Sequence, residues 1–373
     1  MKIKVLALVL AVCLATTLSA CFPKTENKSI EDILSEMTLE EKVYQMMFVT
    51  PEDITKVGEV YSAGETTKNA LEKYPVGGII YFKQNLKDRD QTTEMIANTQ
   101  SYSKIPLFIS VDEEGGLVSR LGSNPAMGTT KHPAMAEIGE TKNPQNAYEV
   151  GQTLGKELFE LGFNVDFAPV ADVLIIGNNT EIGSRSFGYD VENVSRMVEN
   201  AVKGIEENGV SSALKHFPGA GAVTGDSHEK PTESNRSIDE IRETELKPFK
   251  AGIDAGADFV MISHLVLTEA SKEKLPCSLS KEVIEDMLKG ELGFKGIVIT
   301  DSLRMNAVSK IYSPARIGVM CVNAGVDMIL MPEDFEKTHS GIVEAVKNGE
   351  ISEERINESV RKILKLKREK GLL

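Results

Sequence analysis

Eight apolar runs of strand length recur along this chain, separated by stretches with helical spacing, and that alternation constrains the fold more than any other feature. The runs are Gln45 to Thr50, Gly78 to Phe82, Leu107 to Val111, Val165 to Val170, Val210 to Leu214, Phe259 to Ile262, Gly296 to Ile299 and Met328 to Leu330. Most are apolar throughout rather than alternating, which is the pattern of strands covered by helices on their outer side. Amphipathic stretches lie between them, among them Ala147 to Leu161, Val191 to Asn208, Ile238 to Ala255 and Ser280 to Lys289. Eight such units predict an α/β fold, a TIM (β/α)8 barrel in a single domain, in preference to a doubly wound sheet. Two further helical stretches, Phe335 to Asn348 and Ser352 to Lys370, complete it.

The first twenty residues fall outside this pattern. Lys2 and Lys4 open a segment whose apolar centre, Val5 to Ala15, is shorter than the ~20 residues needed to span a bilayer. It reads as a secretory signal over residues 1–20. Its ending, Leu18-Ser19-Ala20-Cys21, resembles a bacterial lipobox, which implies cleavage before Cys21, a lipid on its sulfur and an extracytoplasmic, membrane-tethered chain. Residues 21–29 then form a linker and 30–373 the barrel domain. A net charge of −14 excludes a nucleic-acid partner and a basic membrane-binding face, so the lipid is the expected membrane contact. Beyond Cys13 and Cys21 the only thiols are Cys277 and Cys321, which rules out a disulfide framework and zinc-ligand spacing.

Titratable residues follow the strand runs with unusual regularity. Asp112 follows the third, Asp172 the fourth, Lys215 and His216 the fifth, His264 the sixth and Asp301 the seventh. In a parallel barrel these positions converge on the C-terminal mouth, where such folds carry their sites. A single polar residue after a strand commonly caps the next helix, and Asp301 alone would fit that role; five successive exits do not. His264 fits equally a pocket wall or a structural hydrogen bond. After the fifth run comes Lys215-His216-Phe217-Pro218-Gly219-Ala220-Gly221-Ala222-Val223-Thr224-Gly225-Asp226-Ser227-His228, a Gly-rich loop. Asp226 and His228 stand two apart, so in an extended loop a carboxylate can orient an imidazole and tune it as a proton donor.

Five segments, in this order, resemble glycoside hydrolase family 3, specifically its single-barrel β-N-acetylhexosaminidase branch. They are Ser110-Val111-Asp112-Glu113-Glu114-Gly115-Gly116-Leu117-Val118-Ser119-Arg120-Leu121, Phe167-Ala168-Pro169-Val170-Ala171-Asp172-Val173, Gly183-Ser184-Arg185-Ser186-Phe187-Gly188, the 215–228 run, and Ile299-Thr300-Asp301-Ser302-Leu303-Arg304-Met305. The resemblance implies a retaining exo-β-N-acetylglucosaminidase acting on cell-wall fragments, with an N-acetylglucosamine glycoside as substrate. Asp301 matches the nucleophile that forms a covalent glycosyl-enzyme, and His228 with Asp226 matches the general acid/base. Asp112, Arg120, Arg185, Lys215 and His216 match the sugar-holding positions.

The chain departs from the family pattern at Ala220 and Ala222, where members often carry His or Arg and Asp, at Leu117 for a frequent Arg, and at Ser302 for a frequent second Asp. These departures bear on loop closure and on what lies beyond the first sugar. With no Trp in the chain, sugars must stack on Tyr, Phe or aliphatic groups, which favours a short site. No metal or organic cofactor is expected, since there is no ligand-spaced His/Cys cluster and no phosphate-cradling Gly loop. Alternative readings are a β-glucosidase or β-xylosidase, a glycoside phosphorylase on the same barrel, and a non-catalytic sugar-binding lipoprotein.

Overall fold

The structure, a computed structural model, describes residues 28–223 and 232–373. Cys21, Asp226 and His228 lie outside the described residues. Eight parallel strands form the barrel: β1 (Met47–Val49), β2 (Gly78–Ile80), β3 (Phe108–Val111), β4 (Val165–Asp166), β5 (Ser211–Phe217), β6 (Phe259–Ile262), β7 (Ile297–Thr300) and β8 (Ile329–Leu330). Each pairs with its neighbour in chain order, and β8 returns to β1 through Met47–Ile329 and Phe48–Leu330. Between β7 and β8 the ring is held by a parallel bridge, Ile299–Met328, with Met328 N donating to Val298 O at 3.0 Å. The predicted TIM-type barrel is present, and each of the eight apolar runs supplies one strand.

Aromatic rings fill the interior. Phe48 on β1 and Phe167 just beyond β4 come from non-adjacent strands, yet their ring centroids lie 5.4 Å apart. Phe108 and Phe259, on β3 and β6, meet at 5.3 Å and nearly perpendicular. Contacts between strands that do not pair must cross the barrel, so these rings make it a packed core rather than a pore.

Boundaries shift where local chemistry overrides periodicity. The predicted helix Ile238 to Ala255 is two helices, Ile238–Glu243 and Leu246–Asp254. Pro248 is the cause: it lacks an N–H and its ring would clash with the carbonyl four residues earlier, at Thr244. The fifth strand runs on to Phe217, so Lys215 and His216 lie within its final residues rather than at the start of a loop. The stretch predicted as Ser280 to Lys289 is a π-type helix, Glu282–Glu291. Ser29 caps the first helix, Ile30–Glu36, with a reciprocal bond to Asp32. No helix among the described residues is long and apolar enough to cross a membrane.

The final helix, Glu353–Glu369, closes the end of the barrel opposite the mouth and inserts Lys367 there. Lys367 is fully buried, its Nζ donating to Gln45 Oε1 at 2.9 Å and lying 5.1 Å from the Phe108 ring. Burial pushes its amine down to about 7. The unfolded chain, with an ordinary lysine value near 10.4, binds more protons above that point, so the penalty is complete below pH 7 and eases as pH rises. Lys367→Met removes this pH-dependent penalty, while the donor lost to Gln45 costs the same at every pH. The stability difference between variant and wild type should therefore shift by about 2–3 kcal/mol against the variant between pH 7 and pH 9. Urea midpoints at the two values check this, and a constant difference would contradict it.

Candidate active site

A cavity of about 430 Å³ opens at the C-terminal mouth of the barrel, and six of the sequence-predicted residues line it: Asp112, Arg120, Arg185, Lys215, His216 and Asp301. Residues distant in sequence meet there because they end or follow four strands, β3, β4, β5 and β7, that open at the same mouth.

Lys215 is the hub of one wall. Its Nζ lies 2.7 Å from Asp112 Oδ1 and 2.6 Å from Glu114 Oε1, and its side chain is only 2% exposed. Glu114 in turn takes both arms of Arg185, with Nε at 2.9 Å and Nη2 at 2.8 Å, a bidentate pairing that fixes the guanidinium plane. Burial alone would raise the Glu114 carboxyl, but the charges of Lys215 and Arg185 outweigh it and hold it at about 2. Burial likewise works against the Lys215 ammonium, and the charges of Asp112 and Glu114 overcome it and push its value up. Two cations and two carboxylates thus balance one another.

His216 joins this wall from the same strand. Its Nε2 lies 3.3 Å from Arg185 Nη2, and its Nδ1 lies 2.8 Å from Asp172 Oδ2. A guanidinium only donates, so in the neutral ring Nε2 accepts and Nδ1–H faces the buried Asp172 carboxylate. Asp172 also receives the His216 amide on Oδ2 and the Ala220 amide, at 2.6 Å, on Oδ1. That clamp ties the end of β5 to the segment after β4. Ile175 N donates to Gly221 O at 3.0 Å, and a Cβ at Gly221 would fall 1.7 Å from Val173 O, so only glycine fits there. Ala220 packs with Val170, Leu174 and Ile182 in a small apolar cluster, which explains why a polar side chain is absent at that position.

Asp301 stands across the cavity. Its amide donates to Ile262 O at 2.9 Å, and Leu303 N donates to Leu330 O at 3.0 Å, so the turn after β7 is pinned to the strands on both sides. Ser302 N donates to Asp301 Oδ1 at 2.7 Å. His264, 1% exposed, supports this turn from behind: Nε2 meets Ser302 O at 2.9 Å and Nδ1 meets Ser278 Oγ at 2.8 Å. Of the two readings open for His264, the structural hydrogen bond is the one observed. Burial pushes the Asp301 carboxyl up, but the imidazoles of His216 and His264, the Ser302 amide and Lys215 together bring it below its usual value. Among the described residues no cation comes within ion-pair distance of it.

The rest of the wall is apolar, formed by Ile80, Phe82, Met305, Leu330 and Met331. Arg120 reaches in beside Phe82, its guanidinium carbon 5.9 Å from the ring centroid. Arg304 also lines the cavity, paired with Asp53. A compact ligand with many hydroxyls and an apolar face fits such a two-sided pocket.

Sequence reasoning gave no role to Glu114 or Arg304, and Asp172 entered only as a strand-exit acid. The signal for Glu114 was present in the acidic run Asp112-Glu113-Glu114 before two glycines. Its partners lie 71 and 101 positions downstream, which spacing alone does not reveal. Cys277 and Cys321 are free and buried, and burial pushes both thiols up.

A parallel barrel with a carboxylate at one strand exit and a charge-balanced polar wall facing it has the layout of an enzyme active site. Residues 38–366 match the model of the glycosyl hydrolase family 3 N-terminal domain, and the chain belongs to that family. It is 32% identical over 80% of its length to a beta-hexosaminidase A of Pseudoalteromonas piscicida, of which it spans 54%. It is 35% identical over 70% of its length to a beta-hexosaminidase of Stenotrophomonas maltophilia, covering 77% of that protein. Among solved structures, a family 3 beta-N-acetylglucosaminidase from Paenibacillus sp. superposes with a TM-score of 0.84 and 37% identity, over 90% of this chain and 63% of the other.

The buried Glu114 pairing yields a direct expectation. Glu114→Gln keeps the shape but leaves Lys215 and Arg185 short of a counter-charge, which should destabilise the fold by about 3–5 kcal/mol at neutral pH. Urea denaturation measures it, and a loss under 1 kcal/mol would show that the cluster does not depend on this carboxylate.

Proposed function

We propose that this chain is a retaining exo-β-N-acetylglucosaminidase that removes terminal N-acetylglucosamine from cell-wall fragments or related glycosides. The observation that carries the proposal is Asp301: a carboxylate kept ionised by its surroundings, free of an ion-pair partner among the described residues, and facing a cavity lined by Asp112, Lys215, Arg185 and His216. The beta-hexosaminidase and beta-N-acetylglucosaminidase names of its relatives support the choice of sugar.

In the first step an Asp301 oxygen attacks the anomeric carbon, the bond from that carbon to the leaving oxygen breaks, and His228 gives that oxygen its proton. In the second step water attacks the same carbon, the ester to Asp301 breaks, and His228 takes the water's proton. Asp226 orients the imidazole and stabilises its cation. Both ends of the segment carrying this pair are anchored near the mouth, through Ala220 to Asp172 on one side and through Thr232 O to Val266 N, at 2.9 Å, on the other. Asp112, Lys215, His216, Arg185 and Arg120 hold the sugar, and the Met305–Leu330–Met331 side accepts its apolar parts. As the bond breaks, positive charge develops at the anomeric centre, and the Asp301 carboxylate meets it there.

The lipobox-like ending at Cys21 supports a lipid-anchored enzyme outside the membrane; palmitate labelling that persisted in Cys21→Ser would contradict this anchor. For the chemistry, Asp301→Ala should lower hydrolysis of a β-N-acetylglucosaminide by roughly 10⁴-fold or more. His228→Ala should lower kcat/KM, which reports the first bond-breaking step, by about 10²–10⁴-fold for an alkyl glycoside and far less for a 4-nitrophenyl glycoside, which needs little proton help to depart. Equal losses for both leaving groups would remove His228 as the acid. Preferred turnover of the plain glucoside would overturn the choice of sugar, and release of a sugar 1-phosphate on adding phosphate would make the enzyme a phosphorylase.

A further inference from the structure

The three acids Asp112, Glu113 and Glu114 do not share a direction. Asp112 and Glu114 line the cavity and pair with Lys215. Glu113, between them, faces the opposite way, toward the packing of Leu121 against Leu154, Leu158 and Leu161 of the helix Pro144–Leu161. It is 3% exposed and is not among the residues that line the cavity.

That carboxylate receives four donors from one loop. Ser119 Oγ at 2.5 Å and Gly122 N at 3.2 Å donate to Oε1, while Arg120 N at 2.6 Å and Leu121 N at 2.8 Å donate to Oε2. Its own amide donates to Oδ1 of the buried Asp166 at 3.0 Å, which anchors the hub to β4. The loop from 114 to 122 is wrapped around a single charged group.

The other two cavity arginines are positioned by their side chains, Arg185 by Glu114 and Arg304 by Asp53. Arg120 has no ion-pair partner among the described residues, and its buried Nε finds no hydrogen-bond acceptor there. What fixes Arg120 is its backbone, and its backbone amide is one of the four groups bound by Glu113. We propose that Glu113 is a positioning residue for catalysis, holding the Arg120 guanidinium at the substrate without touching substrate itself. The proposal rests on the reading of Arg120 as a sugar-holding residue.

Glu113→Gln exchanges one acceptor oxygen for an NH₂ group that faces donors, so the loop loses its register while volume is kept. Ser119→Ala removes one donor only and perturbs the fold least. The test compares kcat and KM for 4-nitrophenyl N-acetyl-β-glucosaminide across wild type, both single variants, Arg120→Ala and the two double variants, each with its melting temperature. A charged hydrogen bond to substrate makes the expected loss in kcat/KM for Arg120→Ala roughly 10- to 100-fold. Glu113→Gln should lose about 10-fold and Ser119→Ala roughly 2- to 10-fold. Each double variant should match Arg120→Ala alone, because the damage is routed through that side chain. A purely structural role would lower the melting temperature without this non-additivity. Losses that multiply in the double variants, or unchanged kcat/KM in Glu113→Gln, would overturn the positioning role while leaving Arg120 at the substrate. Unchanged kcat/KM in Arg120→Ala would overturn the reading of Arg120, and the positioning role with it.

Discussion

The Lys215 ammonium, shared between Asp112 and Glu114 in a nearly dry setting, is the interaction on which the rest of the site depends. Burying charge is costly unless each charge is matched in number and geometry. Here the match extends outward: Glu114 passes from Lys215 to a two-armed grip on Arg185, and Arg185 to the ring of His216. Because the two cations are absorbed by two other carboxylates, neither is drawn into a direct pair with Asp301. That carboxylate is left ionised and available, in a field that still favours its charge.

The barrel makes this arrangement cheap in chain length. Each strand delivers its exit residues to the same mouth, so groups from β3, β5 and β7 meet without long excursions of loop. Neighbouring residues on one strand point to opposite faces, yet both Lys215 and His216 line the cavity. A register shift between Leu214 and Phe217 breaks the alternation there, and Asp172 holds His216 in place by bonding both its amide and its ring. Rigidity also comes from behind the cavity, where His264 holds the turn carrying Asp301 and Glu113 holds the loop carrying Arg120.

Much of this was legible in the sequence because burial and period leave a local record. The eight continuous apolar runs located the strands, and titratable residues at their ends located the mouth. What periodicity missed was decided by single residues, as where Pro248 splits a helix that is amphipathic throughout. The side-chain partnerships were harder to read for a different reason. Glu114 pairs with Arg185 and Asp172 with His216, and nothing in the spacing of either residue identifies a partner so far along the chain. The role of Glu113 was hidden in the same way, since three consecutive acids look alike until alternation sends the middle one under the loop. The Ala220 departure shows its reason only in the structure, as a member of a buried apolar cluster.

Catalysis turns on Asp301 forming a bond to the sugar, and interception of that bond tests it most directly. The enzyme would be incubated with a 2-deoxy-2-fluoro glycoside carrying an activated leaving group, digested and mapped by mass spectrometry. A single glycosylated peptide with the label on Asp301 is expected. A label on any other side chain, or steady turnover with no labelled intermediate under conditions that trap other retaining enzymes, would contradict it.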